Sequence, residues 1–138
     1  MYTVTTRIHF CYGHRLLDYD GKCAHAHGHN AVAEVELSCE KPDACGMVVD
    51  FGEVEDRVSE YIEANLDHRM LLRLDDPLVE ALRSAGEDPF VMDSNPTAEN
   101  IARLIFDAAD LSGLPVTAVR LWETIDSMAE YRPARKRV

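Results

Sequence analysis

The chain has 138 residues, 46% hydrophobic and 28% charged, a composition that predicts one globular domain over residues 1–138 with room for a single core. Fourteen basic residues against 25 acidic ones give a formal net charge of −11, which opposes nucleic-acid binding through phosphate neutralisation but leaves room for a local pocket that takes a small anion. No apolar run approaches the roughly 20 residues of a membrane span, and Met1–Thr5 lacks the features of a signal peptide, so the expected setting is cytoplasmic with no membrane partner.

In chain order, residues 2–10 alternate, with Tyr2, Val4, Thr6, Ile8 and Phe10 on one face, and predict a half-buried strand. Residues 18–22 predict a loop. Residues 27–38 alternate again, with His27, His29, Ala31, Ala33, Val35 and Leu37 sharing a face. Asp50 followed by Glu53 resembles a capping box, and the apolar spacing after it predicts a helix near 51–65. Asp76-Pro77 opens a short helix that Gly86 ends. Asn95-Pro96-Thr97 opens another, with Ile101, Leu104, Ile105 and Ala108 as its stripe, closed by Gly113 and Pro115. Residues 116–123 and 127–132 predict two final strands. Strands grouped at both ends of a helical centre predict an α+β fold of order ββααββ with a short extra helix.

The chemistry concentrates at residues 23–30, where Cys23 precedes His25, His27 and His29. His27 and His29 share a strand face and can address one ion; His14, on a neighbouring strand, supplies a third imidazole for a zinc-type site. His25 has the same parity, but three in-line histidines would spread over roughly 13 Å, so it is the weaker candidate. Cys23 is open between a fourth ligand, a packed thiol and a proton-transfer base, since a thiol beside a cation titrates nearer neutrality. Cys11, Cys39 and Cys45 are expected to be ordinary thiols. Asp67-His68 can form an oriented carboxylate–imidazole pair or a plain helix terminus. Glu123 shares its face with Val119 and Leu121, and a carboxylate there needs a donor, from the protein or from a ligand with paired N–H groups.

Taken together, Phe10-Cys11-Tyr12-Gly13-His14-Arg15-Leu16, Cys23 before His27-Gly28-His29-Asn30, Gly46-Met47-Val48-Val49-Asp50-Phe51, Leu66-Asp67-His68, Asn95-Pro96-Thr97-Ala98-Glu99-Asn100 and Trp122-Glu123-Thr124 resemble the 6-pyruvoyl-tetrahydropterin synthase / 6-carboxytetrahydropterin synthase family over nearly the whole chain. The resemblance implies a tunnelling fold: a four-stranded antiparallel sheet with two main helices on one face, assembled into trimers or hexamers with active sites between subunits. It also implies Zn2+ on His14, His27 and His29, Cys23 as the proton-abstracting thiolate, and Asp67 with His68 as an acid/base pair. Glu123 would hold the pterin's N–H edge, Thr97 would lie near the pterin, and Glu99 would help from another subunit. Arg15 and Lys22 are candidate triphosphate contacts, from their charge and their proximity to the motif.

The three residues between Cys23 and His27 match the spacing of the carboxytetrahydropterin enzymes of queuosine biosynthesis, whereas pyruvoyl-forming relatives usually carry more. The expected activity is therefore that of a zinc lyase on 7,8-dihydroneopterin triphosphate. The alternatives are triphosphate elimination to 6-pyruvoyl-tetrahydropterin, or a zinc-containing pterin-binding protein without turnover. Two departures stand out: Ala98 where many relatives have a second threonine, and a longer middle segment over residues 69–94.

Overall fold

A computed structural model describes residues 1–134. Its strands are β1 (Tyr2–His14), β2 (His27–Cys39), β3 (Arg69–Arg73), β4 (Phe90–Met92), β5 (Val116–Trp122) and β6 (Met128–Tyr131). Its helices are α1 (Phe51–Asn65), α2 (Pro77–Ser84) and α3 (Ala98–Leu111), and a 3₁₀ turn covers Lys22–Ala24 within the expected loop. The fold is α+β, with α1 and α3 supplying the helical side of one core and α2 as the short extra helix.

One contrast with expectation is the sheet, which has six strands in the order β4-β3-β1-β2-β5-β6 rather than four. The four expected strands are present and pair antiparallel with one another. The additional pair, β3 and β4, runs parallel to β1 and extends the sheet beyond it. Both come from the long middle segment, which forms a β3–α2–β4 crossover. A parallel pair cannot be closed by a tight turn, and α2 supplies the necessary connection. Neither strand alternates: Leu71 and Leu72 are consecutive and both fully buried, and β4 has only three residues. Strands covered on both faces lose the period-2 signal that reveals half-exposed ones.

The β1–β2 ladder is the longest feature, running from Tyr2↔Cys39 to His14↔His27 without a break. Its inward face carries Ile8, Phe10 and Tyr12 on β1, and Ala31, Ala33, Val35 and Leu37 on β2. Against it pack Val54, Val58 and Ile62 of α1, and Ile101, Ile105 and Phe106 of α3. The helices start where local chemistry puts them. Asp50 accepts from Gly52 N–H at 2.8 Å, Asp76 from Leu78 N–H at 2.8 Å, and Thr97 from Asn100 N–H at 3.2 Å, each covering a donor the first turn leaves open. Glu53 does not complete the box at Asp50; its carboxylate pairs with Arg57.

The opposite face of β2, β5 and β6 carries a charge network. Glu36, almost buried, accepts from Arg132 at 2.8 and 3.1 Å, from Thr117 at 3.0 Å and from Arg120. The Arg132 hydrogen bond is the main force holding its carboxyl down, at about 2; desolvation opposes it and Arg120 and Thr117 add to it. A depressed carboxyl stabilises the fold above its unfolded value near 4.5, and that contribution drains away as pH falls through about 2. The shift corresponds to about 3 kcal/mol at most, and solvent at the half-exposed Arg132 reduces it to about 1–2 kcal/mol. Glu36→Gln is therefore expected to lose about 1–2 kcal/mol at pH 7 by urea denaturation. The gap to wild type should close as pH falls from 4.5 towards 2. A gap that persists undiminished in acid would exclude ion pairing as its source.

Candidate active site

The ladder register places the histidines. His14 pairs directly with His27 at the last rung, and His29 pairs with Tyr12 two residues back. The His14 Nε2 lies 3.0 Å from His27 Nε2 and 3.2 Å from His29 Nε2. His14 is buried and the other two are half-buried.

The tautomers decide what this cluster is. His14 Nδ1 donates to the Pro96 carbonyl at 2.6 Å, and His27 Nδ1 donates to the His25 carbonyl at 2.7 Å. A carbonyl only accepts, so both Nδ1 atoms carry the proton and, in the neutral rings, both Nε2 atoms present lone pairs. Burial pushes His14 below the usual imidazole range, favouring its neutral form. Two lone pairs facing each other at 3.0 Å are not a hydrogen bond; they are donor atoms placed so that one cation could share them. Ligands about 2.0–2.1 Å from a tetrahedral zinc stand about 3.3–3.4 Å apart, close to what these nitrogens show. The three residues fit a divalent metal, and the backbone carbonyls behind His14 and His27 are the outer shell that such ligands use. His25 contributes its carbonyl to this shell, and its exposed ring lies outside the cluster.

Glu123 stands immediately after β5, where its N–H donates to Ser127 O at 3.2 Å in the turn to β6. Its carboxylate reaches to 4.0 Å from His14 Nε2 and 3.9 Å from His29 Nε2. The Tyr12 hydroxyl donates to it at 3.3 Å. Burial raises the Tyr12 hydroxyl well above its ordinary value, and the charge of Glu123 raises it further, so Tyr12 remains a donor. Val119 and Leu121 on the same strand face are fully buried, as the alternation predicts.

A second group lies across the cleft. Asp67 and His68 follow α1, where the chain turns through a left-handed His68 (φ +60°) to enter β3. That conformation is uncommon outside glycine, and the His68 N–H bond to Cys11 O at 2.7 Å holds it in place. Asp67 accepts from Cys11 N–H at 3.0 Å, and His68 Nδ1 lies 3.0 Å from the same carboxylate oxygen. Partial burial opposes ionisation of Asp67, but these bonds prevail and hold its carboxyl below the usual range. His68 is largely exposed, its ring held at one nitrogen and open at the other.

The thiol beside this pair is Cys11, which was expected to be an ordinary one. Its sulfur falls within 4.8 Å of ligand atoms of both Asp67 and His68. Nothing in β1's apolar alternation marks Cys11, because the group forms only when the α1–β3 turn docks on it. Cys23 lies in the 3₁₀ turn, half-buried, with its carbonyl accepting from Leu16 N–H at 2.8 Å. It is not part of the Cys11–Asp67–His68 group. Both His27 and His29, together with Cys11, Asp67 and His68, line one open cleft of about 1020 Å³.

Thr97 and Glu99 are at the start of α3, Thr97 as its cap and Glu99 exposed in the first turn; neither lines that cleft. Arg15 departs from expectation. Its guanidinium grips the buried carboxylate of Asp76 through two N–H groups, with Nε at 2.8 Å, while Lys22 remains exposed.

The family model described as 6-pyruvoyl tetrahydropterin synthase matches residues 3–134. The chain belongs to this family. Among curated relatives, one from Rickettsia conorii named 6-carboxy-5,6,7,8-tetrahydropterin synthase is 36% identical, with 94% of this chain and 99% of the relative covered. One of the same name from Haemophilus influenzae is 31% identical, covering 96% and 99%. Among solved structures, an uncharacterized protein from Wolinella succinogenes superposes with a TM-score of 0.77 at 26% identity, covering 96% and 98%. The 6-pyruvoyl tetrahydropterin synthase of Caenorhabditis elegans superposes with a TM-score of 0.69 at 23% identity, covering 96% of each chain, a likeness of fold.

Removing any one imidazole breaks the converging set. His14→Ala, His27→Ala and His29→Ala are each expected to weaken zinc affinity by at least about 100-fold in chelator competition, more than the loss of an outer-shell partner does. Cys23→Ala should retain the wild-type affinity. Metal loss in Cys23→Ala but not in His27→Ala would overturn this ligand set.

Proposed function

We propose that this protein is a zinc-dependent carbon–carbon lyase. It converts 7,8-dihydroneopterin triphosphate and water to 6-carboxy-5,6,7,8-tetrahydropterin, acetaldehyde and triphosphate, the carboxypterin step of queuosine biosynthesis. The observation that carries the reading is the convergence of three imidazole nitrogens beside a carboxylate, in a chain whose curated relatives bear that enzyme name. The short spacing from Cys23 to His27 supports the carboxypterin product over the pyruvoyl one.

His14, His27 and His29 would hold the zinc ion, which when bound would supply Lewis acidity to the substrate's side-chain hydroxyls. The remaining roles belong to the chain. Glu123 accepts the pterin's 2-amino and ring N–H groups, and the Tyr12 hydroxyl fixes the orientation of that carboxylate. Cys23 takes a proton from the side chain. His68, held by Asp67 at one nitrogen, returns or relays a proton from the other. Each positioned acid or base contributes about 10²–10⁴-fold in rate. Thr97 lies near the pterin, and Glu99 assists from a neighbouring chain. With Arg15 committed to Asp76, Lys22 is the loop cation offered to the triphosphate.

Cys23 lies outside the Asp67–His68 group of its own chain, and among the described residues the terminal strands β4 and β6 each leave one edge unpaired. Both features support a homotrimer or hexamer built on the tunnelling-fold plan, in which Cys23 of one subunit works with Asp67 and His68 of the next. Among the described residues no helix is long and apolar enough to cross a membrane, in keeping with a cytoplasmic enzyme.

Incubation of zinc-loaded protein with 7,8-dihydroneopterin triphosphate should yield the carboxypterin and acetaldehyde in equal amounts by mass spectrometry. A pyruvoyl product would move the assignment to the sibling activity, and unchanged substrate would leave a binding role. Co-expressed Cys23→Ala and His68→Ala chains, each inactive alone, should recover part of the wild-type rate. Absence of recovery in a confirmed mixed oligomer would place both groups within one chain.

A further inference from the structure

His14 and His27 close the β1–β2 ladder, so residues 15–26 form a loop whose two ends are proposed metal ligands and whose far side carries Cys23. A twelve-residue loop of this kind has many conformations, and a thiol placed on it has no fixed position unless something else supplies one. The four residues after His14 are each tied down. Arg15 grips Asp76, whose side chain is fully buried. Leu16 N–H donates to the Cys23 carbonyl at 2.8 Å. Leu17 is held by Asn95 at both backbone groups: its N–H donates to Asn95 Oδ1 at 2.9 Å, and its C=O accepts from Asn95 Nδ2 at 2.8 Å. Asp18, strained at φ +56°, pairs with Arg73 at 2.8 Å.

Three of these four ties come from residues 73–95, the segment of the β3–α2–β4 crossover and the turn after it. Asn95 is itself anchored, because its carbonyl accepts from Thr97 N–H and from Asn100 Nδ2, both at 2.8 Å, at the start of α3. The next residue, Pro96, supplies the carbonyl that orients His14. One rigid corner thus holds the first ligand by a backbone carbonyl and the thiol-bearing loop by a side-chain amide.

We propose that Asn95 is a positioning residue for catalysis, setting the place of Cys23 through Leu17 and the Leu16–Cys23 bond, with Asp76 and Arg73 as auxiliary ties. The crossover that widens the sheet is then a brace for the catalytic loop. This inference rests on the reading of Cys23 as the proton-transfer thiol. The amide is used at both ends, so Asn95→Asp, of the same shape, keeps the acceptor for Leu17 N–H and turns the donor into an acceptor facing Leu17 C=O.

The test uses the zinc-loaded full-length protein. It measures zinc affinity by chelator competition, alkylation of Cys23 by iodoacetamide resolved by peptide mass spectrometry, and kcat and KM on 7,8-dihydroneopterin triphosphate. Asn95→Asp is expected to change the Cys23 alkylation rate at least about fivefold and lower kcat about 10–100-fold, the scale of a small misplacement of a reacting group. KM and zinc affinity should remain within about threefold of wild type, since neither the metal ligands nor the pterin-binding carboxylate is touched. Arg73→Gln, a milder change near the surface, should show the same signature at a few-fold scale if Asn95→Asp fails to fold. Unchanged alkylation and kcat would overturn the inference, as would a zinc affinity that falls in step with kcat. Cys23→Ala in the same assay separates the two claims. If it keeps turnover, the catalytic reading of Cys23 fails, while altered alkylation in Asn95→Asp still reports positioning. If it is inactive and Asn95→Asp behaves as wild type, only the positioning inference fails.

Discussion

The unbroken antiparallel pairing of β1 with β2 is the constraint from which the rest follows. Its register does two things with one alternation. At the open end it turns Ile8, Phe10, Ala31, Ala33, Val35 and Leu37 towards α1 and α3, and at the other end it turns His14, His27 and His29 towards one another. A slip of one residue would expose the apolar set and separate the imidazoles together. The burial of the core therefore enforces the geometry of the polar site, and the site needs no separate device to set its register.

The same face changes character along its length. Apolar from Ile8 to Phe10 under the helices, it becomes amphipathic at Tyr12 and polar at His14, where three of the polar atoms have partners. Tyr12 gives its hydroxyl to Glu123, His14 its Nδ1 proton to Pro96, and His27 its Nδ1 proton to His25. Buried polar groups left without partners are costly, so these bonds are what allow a ligand set to stand at the edge of a core. What they leave over is a set of nitrogen lone pairs and a carboxylate, all turned inward. Across the cleft, the strained turn at His68 docks on the backbone of Cys11 in β1 and adds a second polar group.

Much of this was legible in the amino-acid order because alternation is local. The parity of His27, His29 and Glu123, the caps at Asp50, Asp76 and Thr97, and the four antiparallel strands all reside in stretches of a few residues. What was not legible depended on distant docking. Leu71 and Leu72 sit in a strand buried on both faces, which erases the period that strands are recognised by. Cys11 reads as an ordinary thiol, and only the docking of the turn after α1 joins it to Asp67 and His68. Arg15 looked like a phosphate ligand, and only the buried Asp76, sixty-one residues away, shows that its fork is already engaged.

The facing lone pairs of His14 and His27 also bear on how the hairpin breathes. Without a cation they repel at the last rung of the ladder, and with one they close it. Amide protons of Tyr12, His14 and His29 then belong to an opening unit whose frequency follows ion occupancy, whereas those of Val4, Thr6 and Val35 exchange only when the sheet itself comes apart. A single strand pair would in this way contain two regions of different lifetime, divided near the point where its apolar face ends.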